Sequence, residues 1–202
     1  MEIRSYYNDN FYIYNDAGHR IDHADDVYSE MSRLNKELGM DLNEDIIFMT
    51  AYVHDIFTHH GRKDHHTKSY DYVLANSDIY LNEFEPDELR DIAIAVSEHR
   101  ASGKDHYSNG YSRLIRLADK GQPDLESILV RAYKYNAHKV FNTLDEIYER
   151  VLKHIIEKFG RTGYGFKSVD YREVYGSQLE AFWDRLDTLT LKDVKTIINK
   201  NI

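Results

Sequence analysis

Cysteine is absent from the 202 residues, which excludes disulfides, thiolate nucleophiles and thiolate–metal sites together. That absence suits a reducing compartment, and a cytoplasmic location is the expectation. Only two prolines and ten glycines occur, a usage that favours long helices over a turn-rich β fold. No run approaches the ~18 apolar residues that a membrane span needs, and the polar, aromatic segment from Met1 to Asn10 holds no apolar core of a secretion signal. A membrane partner is therefore not expected. The formal net charge of −9 argues against general nucleic-acid binding, which rests on Lys and Arg meeting phosphates. A chain of this length suits one domain, residues 1–202, with room for a small appendage.

What is plentiful is histidine. Eleven occur, with His54, His59, His60, His65 and His66 close together. Seventeen Tyr and eight Phe read mainly as core and surface filler. Apolar periodicity predicts nine helices, at about 22–38, 43–58, 64–77, 86–100, 109–120, 124–138, 143–160, 169–187 and 190–200. Pro86 fits a first helical position, and Thr190 with Asp193 forms a capping pair. Residues 2–18 form an aromatic lead-in of strand-like or irregular character. In the stretch from Phe159 to Lys167, three glycines with Arg161 and Lys167 suit a turn between helices, the alternative being a phosphate-contacting loop. The stripe Leu179, Phe182, Trp183 and Leu186 suits core, the alternative being a homodimer contact. The fold class is all-α.

Six positions carry metal-ligand chemistry: His23, His54, Asp55, His65, His99 and Asp119. Imidazole nitrogen and carboxylate oxygen together suit divalent transition metals, and six donors suffice for two ions. A His-Asp dipeptide alone has little specificity; the surroundings carry the information. His23 lies four residues before Val27, on the stripe that continues through Met31, Leu34 and Leu38. His54 and Asp55 sit in the run from Ile46 to Phe57, too apolar for a surface helix, where ionisable groups are costly unless paired or bound to an ion. His99 follows Ile92 and Val96 on an inner face, and Asp119 follows Ile115 by one turn. His65 stands in a polar stretch beside His66, which is the alternative ligand.

The ordered segments from Gly18 to Val27, Ala51 to Ile56, Asp64 to Ser69, Ser97 to His99 and Arg116 to Lys120 resemble the HD-domain superfamily of metal-dependent phosphohydrolases over about residues 18–125. The resemblance implies an all-helical bundle with a metal-binding core over 18–125 and a C-terminal helical extension over 126–202. It implies that His23, His54, Asp55 and Asp119 hold the primary metal, that His65 and His99 match the extra ligands of binuclear members, and that Asp55 and His54 are the catalytic pair. Many members continue the His-Asp pair with Gly-Lys; Phe57-Thr58 stands here instead.

Basic residues recur beside these ligands: Arg62, Lys63 and Lys68 around His65, Arg100 and Lys104 after His99, Lys120 after Asp119. With His19, one turn before His23, they are candidate substrate-binding residues for a polyphosphate, although each alone also suits solvated surface. The expected cofactor is one or two divalent ions (Fe, Mn, Ni, Mg or Zn), the histidines favouring a transition metal over magnesium. The expected activity is hydrolysis of a phosphate ester or anhydride in a small nucleotide by metal-activated water. The alternatives are a di-iron oxygenase built on the same ligands and a non-catalytic nucleotide-binding module.

Overall fold

The computed structural model describes residues 2–100, 106–137, 139–141 and 143–202. Lys104 lies outside the described residues. Ten α-helices and no strand occur among those described, so the all-α expectation holds. The chain divides into two compact units, Met1–Gly121 and Gln122–Ile202.

The first unit holds α1 (Ile3–Asn10), α2 (Ile21–Glu37), α3 (Glu44–Val53), α4 (His65–Leu74), α5 (Pro86–Glu98) and α6 (Gly110–Ala118). The centre is α3, whose Ile46, Ile47, Met49, Thr50, Ala51, Tyr52 and Val53 are all buried. Around it pack α2, α5 and α6, with α4 laid along α5. The packed faces are the periodic stripes read from sequence: Val27, Met31 and Leu34 on α2, Ile92 and Val96 on α5, Leu114 and Ile115 on α6. Burying each such side chain contributes about 1.5–3 kcal/mol, and this fixes which residues of each helix face inward.

Helix ends follow local chemistry. The N-cap side chains of Asn43 and Asn109 accept from backbone N–H groups of α3 and α6, and Glu85 with Glu88 closes a capping box behind Pro86. α2 stops where Gly39 takes φ +59°. The Gly39 and Met40 N–H groups then return to the Lys36 and Asn35 carbonyls, the glycine-terminated C-cap that L side chains disfavour.

Two sequence expectations need correction. The lead-in is helical, with α1 followed by a 3₁₀ turn over Tyr12–Tyr14. It is held by Tyr7 and Tyr12, both fully buried, rather than by strand pairing. The helix expected to reach residue 58 ends at Val53. Beyond it the Thr58 N–H bonds the carbonyl three residues back, that of Asp55, at 3.1 Å rather than the one four back. The Thr58 hydroxyl and the Asn15 amide hold the same oxygen at 3.0 Å each, so the chain turns tightly and the α-helical ladder does not continue.

The second unit holds α7 (Leu125–Asn136), α8 (Leu144–Phe159), α9 (Val169–Asp187) and α10 (Leu191–Asn201). Thr190 and Asp193 cap α10 reciprocally, as expected. Leu179, Phe182, Trp183 and Leu186 are buried within the chain; the stripe is core. The glycine-rich stretch is a turn: the Gly165 N–H donates to the Lys158 carbonyl at 2.7 Å, and a Cβ on Gly163 would lie 2.4 Å from that same oxygen. Arg161 is clasped by Glu180 (2.8 Å), Asp184 (2.6 Å) and Asp187 (2.9 Å) on α9. A guanidinium already matched by three carboxylates has no charge left over to attract a phosphate, and the phosphate-loop alternative is set aside.

Candidate metal centre

Five of the six candidate ligands sit at helix ends or within a first turn. His54, His99 and Asp119 are the C-cap residues of α3, α5 and α6. His65 opens α4 and His23 lies in the first turn of α2. The C-cap position has a physical logic. The last turn of a helix leaves carbonyls without partners, and an imidazole three residues on can supply the missing donor. His54 Nδ1 donates to the Ala51 carbonyl at 2.7 Å and His99 Nδ1 to the Val96 carbonyl at 2.6 Å. His65 repeats the arrangement on the Arg62 carbonyl at 2.9 Å. A carbonyl oxygen only accepts, so in all three rings Nδ1 carries a proton and Nε2 is the nitrogen that faces inward. This is the usual support of a metal-binding histidine.

The inward atoms fall into two groups that share Asp55. His23, His54, Asp55 and Asp119 each offer a donor atom within 4.8 Å of the others, and so do Asp55, His65 and His99. The two Asp55 oxygens divide the labour. Oδ2 faces His54 Nε2 at 3.5 Å and His23 Nε2 at 4.0 Å; Oδ1 faces His65 Nε2 at 3.1 Å and His99 Nε2 at 3.5 Å. Asp119 Oδ1 lies 3.0 Å from His23 Nε2. His54, Asp55, His65 and His99 are buried, and His23 and Asp119 are partly so.

Three features show that this arrangement fits an ion. First, His54 Nε2 is buried without a hydrogen-bond partner, a cost of roughly 1–3 kcal/mol for a polar atom left unmatched. Second, His65 Nε2 and His99 Nε2 lie 3.0 Å apart. With both Nδ1 atoms donating to carbonyls, two lone pairs meet unless a proton or a cation stands between them. Third, three helix C-termini converge on two carboxylates, and each C-terminus carries about half a negative charge. The titration behaviour has the same origin. Burial would raise the Asp55 carboxyl, yet His54, His65 and His99 hold it well below the usual carboxylate range. Asp119 is likewise depressed against its burial, by His23. Burial would lower His54, but Asp55 and then Asp119 raise it. The carboxylates thus demand positive charge, which protons supply in the metal-free protein and a divalent ion would supply in their place. The His/Asp set can hold a metal ion.

All six expected ligands are brought together. His66, the alternative to His65, is not: its ring lies 5.6 Å from the His65 ring and belongs to neither ligand group. The expected substrate-binding residues separate into kinds. His19 is buried, with its ring edge-to-face on His23 at 5.8 Å and Nε2 accepting from Arg62 at 2.6 Å. Arg100 donates to the Lys63 carbonyl at 2.8 Å, tying the end of α5 to the turn before His65. Lys63 and Lys68 are exposed, and among the described residues neither pairs with a ligand. Lys120 is half-buried next to Asp119.

Sequence reasoning missed the residues that hold the His-Asp segment from behind. Asn15 is buried and donates to the Asp55 carbonyl, while its own oxygen accepts from the His59 N–H at 3.1 Å and ring at 3.0 Å. The Tyr12 hydroxyl donates to the Tyr52 carbonyl at 3.2 Å. The one available signal was the density of aromatic residues in the lead-in.

Comparison of the chain with protein-family models, curated proteins and solved structures finds no match. Fold and site together define an all-helical protein with a buried His/Asp cluster able to take a metal ion. No helix among the described residues is long and apolar enough to cross a membrane.

Proposed function

We propose that this chain is an HD-type, metal-dependent phosphohydrolase acting on a phosphate ester or anhydride of a small nucleotide. The observation that carries the reading is the Asp55 carboxylate, whose two oxygens face two separate histidine groups. That is the placement required of a residue shared between two ions. His23, His54, Asp55 and Asp119 would hold one, and Asp55, His65 and His99 the other. The chemistry such ions supply when bound is Lewis-acid polarisation of a phosphoryl oxygen and acidification of water to a pKa near 7.

The protein's own part is orientation and charge. The Ala51, Arg62 and Val96 carbonyls lock the three ring tautomers, so no imidazole need reorganise during turnover. Burial of His54 and Asp55 excludes bulk water and strengthens the electrostatic interactions made inside. Arg62 and Arg100, both set around the turn before His65, favour an anionic substrate at this side of the cluster. No serine or thiol nucleophile is required.

The test is hydrolysis of a nucleotide panel by manganese-loaded protein under strict anaerobiosis in heavy-oxygen water. The expected result is phosphate or nucleotide release, with the label in a phosphate-containing product. Turnover that needs both iron and dioxygen would replace this reading with an oxygenase on the same ligands.

A further inference from the structure

Arg62 is joined to the metal cluster twice. Its backbone carbonyl accepts from ligand His65 at 2.9 Å, and its guanidinium Nη2 lies 2.6 Å from His19 Nε2. A guanidinium has no acceptor, so Nη2 donates and His19 Nε2 accepts. This fixes His19 as the neutral tautomer with its proton on Nδ1, which donates to Asp16 Oδ1 at 2.8 Å. Asp16 Oδ1 is itself held by the Gly18 N–H at 2.8 Å. The imidazole is buried and rests edge-to-face on the His23 ring, yet it belongs to neither ligand group.

We propose that Asp16 and His19 form a positioning relay that holds the Arg62 guanidinium at the mouth of the metal cluster as the clamp for a phosphoryl group. The inference rests on the phosphohydrolase reading and deepens it. His19 then is not a substrate contact. It spends one nitrogen on Asp16 and the other on Arg62, and it acts on the anion only through the arginine. Three considerations support this. Arg62 spans the two halves of the cluster, since its carbonyl orients His65 and its side chain reaches the histidine that rests edge-to-face on His23. The relay orients a planar fork, and a fork held in register matches phosphate oxygens far better than a mobile one. The other arginine at this turn is committed differently: Arg100 donates to the Lys63 backbone carbonyl rather than to a histidine beside the cluster.

The experiment is calorimetric titration of inorganic phosphate into the full-length, manganese-loaded protein, with metal content and circular dichroism recorded for every variant. His19→Gln keeps an acceptor where Nε2 stood, whereas His19→Asn keeps only the atom that faces Asp16. Both remove the ring, so a merely structural histidine would respond alike to each. The expected result is a loss of phosphate affinity of about tenfold or more in Arg62→Ala and His19→Asn, as charge-assisted contacts imply. His19→Gln should stay within about threefold of wild type, and the double variant His19→Asn with Arg62→Ala should be no worse than Arg62→Ala alone. Metal content should not change, because Arg62 holds His65 through its backbone; Arg62→Gln serves in the same role if the alanine variant is poorly folded. Full phosphate affinity in His19→Asn or in both Arg62 variants would overturn the relay while leaving the phosphohydrolase standing. Loss of metal in the His19 variants would also overturn it, assigning the pair to ligand support. Metal-loaded wild type that binds no phosphate would remove both.

Discussion

At the scale of the residue, Asp55 is where the site's properties meet. One carboxylate faces two histidine groups through different oxygens, so if each group holds an ion its removal should cost both. Asp55→Ala is expected to lower metal affinity by more than the roughly 10–100-fold lost when only a ligand's hydrogen-bond partner is removed, and to abolish turnover. Metal content of folded protein after dialysis checks this; a variant that keeps two ions per chain would remove Asp55 from the site. His99→Ala, which touches one group only, should fall to one ion.

The same residues set the pH response of the metal-free protein. Asp55 and Asp119 are depressed in the fold, so their contribution is present above the ordinary carboxylate pKa of about 4 and is lost as pH falls through their lower folded values. His54 is raised, so its contribution is complete below about 6.5 and is lost as pH rises through its folded value. Chelator-treated protein should therefore lose thermal stability on going from pH 6 toward 9. Metal-loaded protein, in which the ring is already unprotonated, should not. Thermal unfolding of both forms across that range decides the matter, and parallel curves would contradict it.

At the scale of the element, the candidate ligands His23, His54, His99 and Asp119 were legible because each lies on, or caps, a helix whose apolar period is clear. His23 and Asp119, for instance, are one turn from Val27 and Ile115, whereas His65 opens a polar helix and stood out only by its type. The division of the Asp55 oxygens was not legible, since no spacing encodes which way a carboxylate turns. Nor was α1. Its sequence is rich in Tyr, Asn and Asp, poor helix formers, and it is held by tertiary contacts: Tyr7 donates to Asp78 at 2.7 Å across 71 residues. That carboxylate is a small hub. Asp78 is buried and accepts also from the Tyr72 hydroxyl at 2.9 Å and the Tyr80 and Leu81 N–H groups at 2.8 and 2.9 Å. Burial first, and then Asp78, push both phenols upward, so they remain donors. Asp78→Ala strands four donors at once and should destabilise the first unit by about 3–5 kcal/mol. At roughly 2–4 °C per kcal/mol for a chain of this size, a fall of about 6–20 °C in Tm is expected with metal stoichiometry unchanged below the transition. A shift under 3 °C would show that the hub carries little.

At the scale of the whole molecule, every candidate ligand lies in the first unit, between residues 23 and 119, on segments far apart in sequence. An ion binding there would crosslink the starts of α2 and α4 to the ends of α3, α5 and α6. Stabilisation follows mass action: free metal at 100 times its dissociation constant adds about 2.7 kcal/mol to the form that binds it. That corresponds to roughly 100-fold slower amide exchange wherever exchange requires the site to open. The protection should be uneven. It should be greatest in the peptides ending at His54, His99 and Asp119, where α3, α5 and α6 leave carbonyls to be satisfied by ligand rings or lie beside a ligand carboxylate. α8 and α10, which hold none of the ligand residues, offer the internal comparison. Hydrogen exchange followed by mass spectrometry, with and without manganese, reads this out peptide by peptide. Protection that appears in α8 or α10 while the peptides around His54, His99 and Asp119 stay unchanged would mean that the ion binds elsewhere and that the convergence of three helix ends on Asp55 has another purpose.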